Sequence, residues 1–358
     1  MSFRLEPVVK PDSAGRTGVL LCNLGSPAAP TSAATRRYLA EFLTDRRVVE
    51  LAPALWQPIL HGVILRTRPA RSAAKYKSIW LAEGAPLLVH SRQQATLLRG
   101  YLGERGWQVS VLPAMRYGQP SIGAQLDELK AHGCARILVV SLYPQYSGST
   151  TASVIDAVSA WARRARHVPE LRFINRFHDD PGYIQALAQS VQRHWRGNGR
   201  SGRLVMSFHG VPERMRSLGD PYHAECLETA RLLAERLALR EGEWTVSFQS
   251  RFGKARWVGP ATQTVLQELG RAGQRVAVIC PGFVSDCLET LEEIAIEGRD
   301  VFLAAGGQEF HYLPCLNDRP DWLAALAAIV QRHLQGWPGY QPPPQEPPAP
   351  VSAVLAGA

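Results

Sequence analysis

Eight short apolar runs, each separated from the next by a helical or loop segment, constrain this chain more than any other feature. The runs lie at 18–25, 108–117, 135–144, 171–177, 203–210, 244–250, 274–282 and 309–314. Apolar strands that alternate with amphipathic helices are typical of a parallel sheet covered on both faces. A length of 358 residues allows two such units. The sequence therefore predicts an α/β fold of two doubly wound, Rossmann-like domains with parallel sheets and a cleft between them.

The domain division is predicted between residues 165 and 166. The first domain, 1–165, includes an unusual segment at 53–80, and the second domain spans 166–336. The remaining segment, 337–358, is rich in proline and has little apolar surface to bury. Such a composition predicts a disordered tail.

The segment 53–80 is unusual for the order of its residue types. Its first half carries apolar side chains at helical spacing, and its second half brings together five basic residues: Arg66, Arg68, Arg71, Lys75 and Lys77. This pattern suits the lip of an apolar ligand's pocket or a contact with a membrane surface. An ordinary packed helix with a solvated basic end explains it equally well.

Composition and short motifs exclude several classes of function. The formal net charge is +9, but the arginines are spread along the chain and no nucleic-acid-binding motif is present, so no nucleic-acid partner is expected. The chain lacks both G-x-G-x-x-G at the start of a helix and G-x-x-x-x-G-K-[ST], which disfavours dinucleotide and nucleoside-triphosphate binding.

Cysteine usage and hydropathy predict a cytoplasmic location. The six cysteines are scattered and form no C-x-x-C pair, as expected for reduced thiols. No secretory signal is visible, and no run approaches the ~20 apolar residues of a membrane-spanning helix. A peripheral contact with the inner face of the cytoplasmic membrane, through residues 53–80, remains an alternative.

An acidic segment follows the seventh apolar run. The stretch GFVSDCLETLEEIAIEG at 282–298 has no basic residue and carries five carboxylates: Asp286, Glu289, Glu292, Glu293 and Glu297. On an α-helix Glu289, Glu293 and Glu297 form one row at i, i+4 and i+8, with Asp286 nearby. The row is either a solvated acidic surface or a track for a cation, and hydrated divalent metals suit such oxygen ligands.

His209 directly follows the fifth apolar run and precedes a Gly-Val-Pro turn. A single histidine at the end of a strand is either structural or catalytic, and the sequence leaves both open. Imidazole exchanges protons near neutrality, because its unperturbed pKa is about 6.5. If His209 and Glu289 project into one cleft, the pair suits a reaction that exchanges protons for a metal ion.

Motifs along residues 17–336 resemble those of the ferrochelatase family, in its bacterial form without an iron–sulfur cluster. They occur in the family's order and read NLGSP, LYPQYSGSTT, SFHGVP, GDPY, FQSRFG, WVGP and FVSDCLETLEE. The resemblance implies insertion of Fe²⁺ into protoporphyrin IX, with release of two protons, as the terminal step of haem synthesis. A related chelatase that uses coproporphyrin III or Co²⁺, and a porphyrin or haem carrier without catalysis, are the alternatives.

The resemblance also implies roles for individual residues. His209 and Glu289 would be the catalytic and metal-binding pair, and Glu293, Glu297 and Asp286 would form a relay for protons or metal. Ring contacts would come from residues beside the matched motifs, each of which is otherwise core: Leu24, Tyr117, Tyr143, Tyr146 and Trp257. Arg116 would pair with a propionate or form a structural ion pair.

Departures from the family pattern limit what the resemblance implies. Gly148 stands where cluster-containing members carry a cysteine, and no cysteine follows Cys315. No [2Fe–2S] cluster and no permanently bound cofactor are therefore expected, and Fe²⁺ and the porphyrin enter as substrates. Cys287 stands where other members carry a histidine, and Ala85 replaces a frequent serine.

Overall fold

A computed structural model describes residues 3, 5, 6, 15–200, 202–253 and 255–341. All eight predicted strands are present in it. Their bounds are β1 (Arg16–Asn23), β2 (Val109–Met115), β3 (Cys134–Ser141), β4 (Glu170–Ile174), β5 (Arg203–His209), β6 (Trp244–Gln249), β7 (Arg275–Ile279) and β8 (Glu309–Tyr312). They form two four-stranded sheets, in the orders β2-β1-β3-β4 and β6-β5-β7-β8. Every neighbouring pair is parallel, so the predicted fold class is confirmed.

Helices connect the strands and cover both sheets. The α-helices are α1 (Ser32–Thr44), α2 (Pro53–Ile59), α3 (Leu65–Ser78), α4 (Pro86–Glu104), α5 (Ile122–Ala131), α6 (Ser153–Ala162), α7 (Pro181–Asn198), α8 (Glu213–Ser217), α9 (Tyr222–Arg236), α10 (Thr262–Arg271), α11 (Leu288–Thr290), α12 (Arg299–Ala304) and α13 (Pro320–Leu334). Within the described ranges, three π-helical segments are inserted among them: π1 (Leu60–Ile64), π2 (Gly148–Ala152) and π3 (Leu291–Gly298). Such wide turns often occur at functional sites.

The first sheet extends beyond the predicted division at 165–166. Strand β4 pairs with β3 from Arg136 opposite Glu170 to Val140 opposite Ile174. Helix α6 is the crossover between them and returns the chain to the edge of the same sheet. The strand signal at 171–177 was correct, but an apolar run does not show which sheet it joins. The division between the two sheets therefore falls after residue 174.

The last helix packs back onto the first half of the chain. Helix α13 lies against α4 and α7, and Arg105 on the α4 side donates to the Ala324 carbonyl at 3.1 Å. One continuous buried cluster joins residues of both sheets, such as Leu138 and Met206, with Leu326 of α13. The two sheets thus share a core, and the C-terminal helix helps to complete it.

Residues 337–341, here called the strap, are ordered, so the prediction of disorder does not hold for them. The Trp337 ring is 5 % exposed, and its indole N–H donates to Glu170 at 2.7 Å. The Gly339 carbonyl accepts from the amide of Gln108 at 2.8 Å, and Thr17 donates to the Pro338 carbonyl at 2.8 Å. The strap therefore crosses the first sheet beside the starts of its strands. Residues 342–358 of the predicted tail lie outside the described residues.

The segment 53–80 forms α2, π1 and α3, and only part of it is packed. Leu60 and Leu65 are buried, and α3 packs against α1. Leu55 and Val63 are 61 % and 54 % exposed, so the segment also presents apolar side chains to the outside. Among the residues that the structure describes, no helix is both long enough and apolar enough to cross a membrane.

Candidate active site

The carboxyl ends of both sheets open onto one cavity of about 500 Å³. Loops after β1, β3, β5, β6 and β7 contribute to its walls, as expected for open parallel sheets. Helix α3 closes one side through residues between Arg68 and Lys75. The volume lies within the range of ~300–1,000 Å³ that is usual for small-molecule sites.

His209 lines this cavity as the last residue of β5. Its Nδ1 lies 2.6 Å from the Gly210 carbonyl oxygen. Because a carbonyl oxygen can only accept, Nδ1 carries a hydrogen and donates it. In the neutral ring Nε2 is then the unprotonated nitrogen, which is the form required of a proton acceptor.

Glu289, Glu293 and Glu297 line the same cavity as His209, so the structure brings four of the five predicted catalytic and relay residues together. Glu289 lies in α11, whereas Glu293 and Glu297 lie in π3. Asp286, the fifth, does not line the cavity.

Glu293 is held by the residue that follows β6. Ser250 donates to its carboxylate from the main-chain N–H at 2.6 Å and from the hydroxyl at 2.5 Å. Burial raises the pKa of Glu293; the Ser250 hydrogen bonds and the charge of His209 oppose that rise, and the charge of Glu289 adds to it. A carboxyl with a raised pKa can take up and release protons closer to neutrality.

Ser250 has a positive φ of 63°, which is rare for a residue with a side chain. Such a backbone costs on the order of 1–3 kcal/mol and persists only where surrounding contacts hold it. The two hydrogen bonds to Glu293 are contacts of that kind. The strained backbone of Ser250 and the fixed position of the Glu293 carboxylate therefore depend on the same two hydrogen bonds.

Asp286 is buried and fully occupied by hydrogen bonds away from the cavity. One carboxylate oxygen accepts from Thr290 at 3.1 Å, from the Tyr312 hydroxyl and from the Cys315 amide at 3.3 Å. The other accepts from the Asn317 side chain at 2.7 Å. This carboxylate joins the start of the acidic helix to the loop after β8, and the predicted relay does not extend to it.

The reason for the different position of Asp286 is where the helix begins. Cys287 has extended backbone angles, with φ −148° and ψ −171°, and the helix starts only at Leu288. Asp286 therefore belongs to the preceding loop. The helical wheel that placed Asp286 near Glu289 treated Asp286 as part of the helix.

The stretch 282–298 contains no basic residue, but Lys75 of α3 lies beside its carboxylates. Its ammonium lies 2.8 Å from Glu292 and 3.1 Å from Glu297. Residues five apart lie on different faces of an α-helix, but the i→i+5 spacing of π3 brings Glu292 and Glu297 to one face. Burial lowers the pKa of Lys75, but its hydrogen bonds to the two carboxylates outweigh that effect and raise the pKa.

Three of the predicted ring contacts line the cavity: Leu24, Tyr143 and Trp257. The hydroxyl of Tyr143 is buried and has no hydrogen-bond partner among the residues that the structure describes. Tyr146 is not part of the cavity wall and instead donates its main-chain N–H to Glu225 at 2.7 Å.

Neither Arg116 nor Tyr117 lines the cavity: Tyr117 belongs to the core of the first domain, and Arg116 is partly buried beside it. Arg116 forms an ion pair with Asp45 at 2.5 Å, and its guanidinium lies 4.5 Å from the centre of the Tyr117 ring. The Tyr117 hydroxyl donates to the same carboxylate at 2.8 Å, and the residue is fully buried. Of the two alternatives for Arg116, the structure shows the structural ion pair.

Arg68, Arg71 and Lys75 of the predicted lip line the cavity, and the Arg68 guanidinium lies 5.6 Å from the centre of the Phe252 ring. Sequence reasoning missed three other wall residues. The FQSRFG motif could have identified Phe252, whereas no local pattern marks Phe42 or Val48.

No complete metal-binding cage is present among the described residues, because no three His, Cys, Asp or Glu side chains are grouped to hold an ion. His209 and Glu289 supply one nitrogen and one carboxylate to the cavity. A metal held by two protein ligands keeps further coordination positions open for other donors.

Comparisons with known proteins agree with this geometry. A family model described as Ferrochelatase matches residues 16–334. A ferrochelatase of Methylibium petroleiphilum is 63 % identical over 344 residues, covering 96 % of this chain and 95 % of its own. A ferrochelatase of Bordetella pertussis is 55 % identical over 333 residues, covering 93 % and 92 %.

A solved structure described as SirB from Bacillus subtilis with Fe³⁺ superimposes with a TM-score of 0.53 at 13 % identity, covering 88 % of this chain and 95 % of that one. This likeness concerns the fold. The family match over most of the length, together with relatives well above half identity, shows that the chain belongs to the ferrochelatase family.

Proposed function

We propose that the chain inserts Fe²⁺ into protoporphyrin IX, releasing two protons and forming protohaem. The observation that carries the proposal is the joint placement of His209 and Glu289 in the wall of one cavity. One side chain is a proton acceptor and the other is an anion that attracts a divalent metal. A porphyrin between them would exchange its two pyrrole protons for the metal ion.

The walls of the cavity suit a flat macrocycle with acidic substituents. Leu24, Phe42 and Phe283 supply apolar surface, and Arg68 and Arg71 supply cations for carboxylates at the edge of the ring. Binding over the rest of the ring can supply the energy that bends it, so that the nitrogen lone pairs become accessible.

The acidic residues form the path by which the pyrrole protons leave the cavity. His209 accepts a pyrrole proton at Nε2, and Glu289 and Glu293 pass protons on or hold the incoming metal. Because burial raises its pKa, Glu293 is suited to carry a proton rather than to remain permanently charged. Glu297 continues the path beside Lys75.

Anaerobic reaction with Fe²⁺ and an excess of porphyrin tests this function. Many turnovers per chain with protoporphyrin IX are expected. The change in porphyrin absorbance measures them. A higher kcat/KM with coproporphyrin III or Co²⁺ would favour a related chelatase. Binding of one porphyrin per chain without turnover, under every combination of porphyrin and metal, would favour the carrier.

The segment 53–80 suits peripheral contact with an anionic membrane. Leu55 and Val63 project outwards beside the basic residues of α3. Flotation with vesicles that contain phosphatidylglycerol should carry the protein upwards, and Leu55→Ser with Val63→Ser should reduce the floated fraction several-fold. Equal flotation of the wild type and the double variant would contradict this contact.

Ser250→Ala should move the acidic limb of the kcat/KM profile to higher pH. The hydroxyl stabilises the carboxylate of Glu293, so its loss raises a pKa that burial has already raised. One charged hydrogen bond of about 1.5 kcal/mol corresponds to about one pH unit. Ser250→Gly also removes the hydroxyl but relieves the positive φ, so both variants should shift the limb. An unchanged limb in both would mean that Glu293 does not control it.

Lys75→Met should lower the KM for Fe²⁺ about fivefold. The ammonium competes with the metal for Glu292 and Glu297, and two half-exposed pairs are worth only about 1 kcal/mol together. Initial rates at varied Fe²⁺ measure the effect. Lys77→Met, on the exposed side of the same helix, is the control and should leave this KM unchanged. A higher KM in Lys75→Met would indicate that the lysine mainly holds α3 in place.

A further inference from the structure

Gln249 is a buried polar residue that lies behind the cavity wall. It is 3 % exposed and does not line the cavity. It ends β6 directly beside His209, with which it is in register. Its main-chain carbonyl accepts from the Gly210 amide at 2.7 Å. The backbone that follows His209 is therefore fixed against Gln249.

The side chain of Gln249 reaches the other candidate catalytic residue. Its amide nitrogen donates to the main-chain carbonyl of Glu289 at 2.6 Å. Its amide oxygen accepts from the Ser207 hydroxyl at 2.7 Å, and the Cys280 sulfur lies 3.7 Å from the same oxygen. Since the Glu289 carbonyl can only accept, these partners fix which end of the amide faces it.

The bonded carbonyl lies where the helix changes its hydrogen-bonding pattern. Glu289 is in the three-residue α11, directly before π3. A change from i→i+4 to i→i+5 bonding leaves a carbonyl without its usual amide partner. A donor from outside the helix can stabilise such a junction. The Gln249 amide is that donor for the turn that carries Glu289.

We propose that Gln249 is a positioning residue that sets the separation between His209 and Glu289. Its main chain holds the strand end that carries the first and its side-chain amide holds the second, while Gln249 itself does not line the cavity. The inference rests on the proposed function, because it takes His209 and Glu289 as the groups between which the porphyrin is metallated. Residues that orient ligands in this way affect activity about 10- to 100-fold.

Gln249→Met tests the proposal, because methionine keeps the length of the side chain and removes both hydrogen bonds. We expect kcat with Fe²⁺ and protoporphyrin IX to fall about 10- to 100-fold. The Kd for protoporphyrin IX, measured by fluorescence quenching, should stay at the wild-type value, because Gln249 does not line the cavity. Gln249→Asn keeps an amide on a shorter side chain that cannot reach both partners. Gln249→Asn should therefore lower kcat by a similar factor. It provides the test if the methionine variant does not fold.

Thr262→Val is the matched control. The Thr262 hydroxyl lies 2.8 Å from the Ser207 hydroxyl and forms no hydrogen bond with Gln249. This variant therefore keeps the side-chain bonds of Gln249 to Ser207 and to Glu289. It should lower the melting temperature and leave kcat unchanged. A wild-type kcat in Gln249→Met or Gln249→Asn, or an equal loss in Thr262→Val, would overturn the positioning role. Absence of turnover by the wild type would instead overturn the proposed function, and this inference with it.

Discussion

We expect His209→Ala to lower kcat by about 10²- to 10⁴-fold, which is the usual loss when a positioned proton acceptor is removed. The hydrogen bond from Nδ1 to the Gly210 carbonyl leaves Nε2 unprotonated in the neutral ring. Alanine supplies no acceptor there, so the pyrrole protons leave only to water. Porphyrin affinity stays close to wild type, because the apolar wall and the basic lip remain.

Anaerobic turnover assays with Fe²⁺ and protoporphyrin IX measure the loss of kcat. Fluorescence quenching measures porphyrin binding. Glu289→Gln is expected to behave in the same way, since it keeps the shape of the side chain and removes the charge. His223→Ala is the matched control, because His223 stacks on Phe248 at 5.2 Å and lies outside the cavity wall. Full turnover by His209→Ala would leave the metallation reaction in place and assign the proton to another group.

We expect Asp286→Ala to lower the free energy of unfolding by about 2–4 kcal/mol, one of the larger effects of a single substitution. Its carboxylate accepts four hydrogen bonds, two of them from Asn317 and the Cys315 amide. Without it these donors lose their partner inside the protein. The start of the helix that carries Glu289 then keeps the main-chain bond from residue 286 to Asn317 but loses the side-chain bonds to the loop after β8.

Urea unfolding followed by circular dichroism measures the stability of the Asp286 variant. Asp300→Ala is the control, because Asp300 is exposed at the start of α12 and should change stability by no more than about 0.5 kcal/mol. Wild-type stability combined with a raised KM for Fe²⁺ would contradict the anchoring role. It would return Asp286 to the path of the metal.

The sequence was sufficient for the architecture because each strand carries its own local signal. Eight apolar runs gave eight strands, and parallel pairing followed from the helices between them. The sheet that β4 joins depends on where its crossover helix packs, which no local pattern shows. The strap was missed for a similar reason, because the hydrogen-bond partner of Trp337 is Glu170, far away in the chain.

The site shows the same division between local and distant information. His209 and Glu289 were found because strand ends and motifs are local features. The contact between Lys75 and Glu292 joins residues 217 positions apart and depends on a π-helix that the α-helical wheel did not include. Whether Tyr117 faces the cavity or the core depends on Asp45 and Phe42, which lie outside its motif.

The strap and α13 place the last part of the chain against the first. During synthesis on a ribosome, the first sheet emerges long before α13 and the strap. The apolar surface that they cover therefore stays exposed until the C-terminal residues have been made. A nascent chain that ends before residue 320 lacks Leu326 and Trp337 of the shared core. The order of translation thus makes the first-made half dependent on the last, and chaperones have their longest opportunity to act on that half.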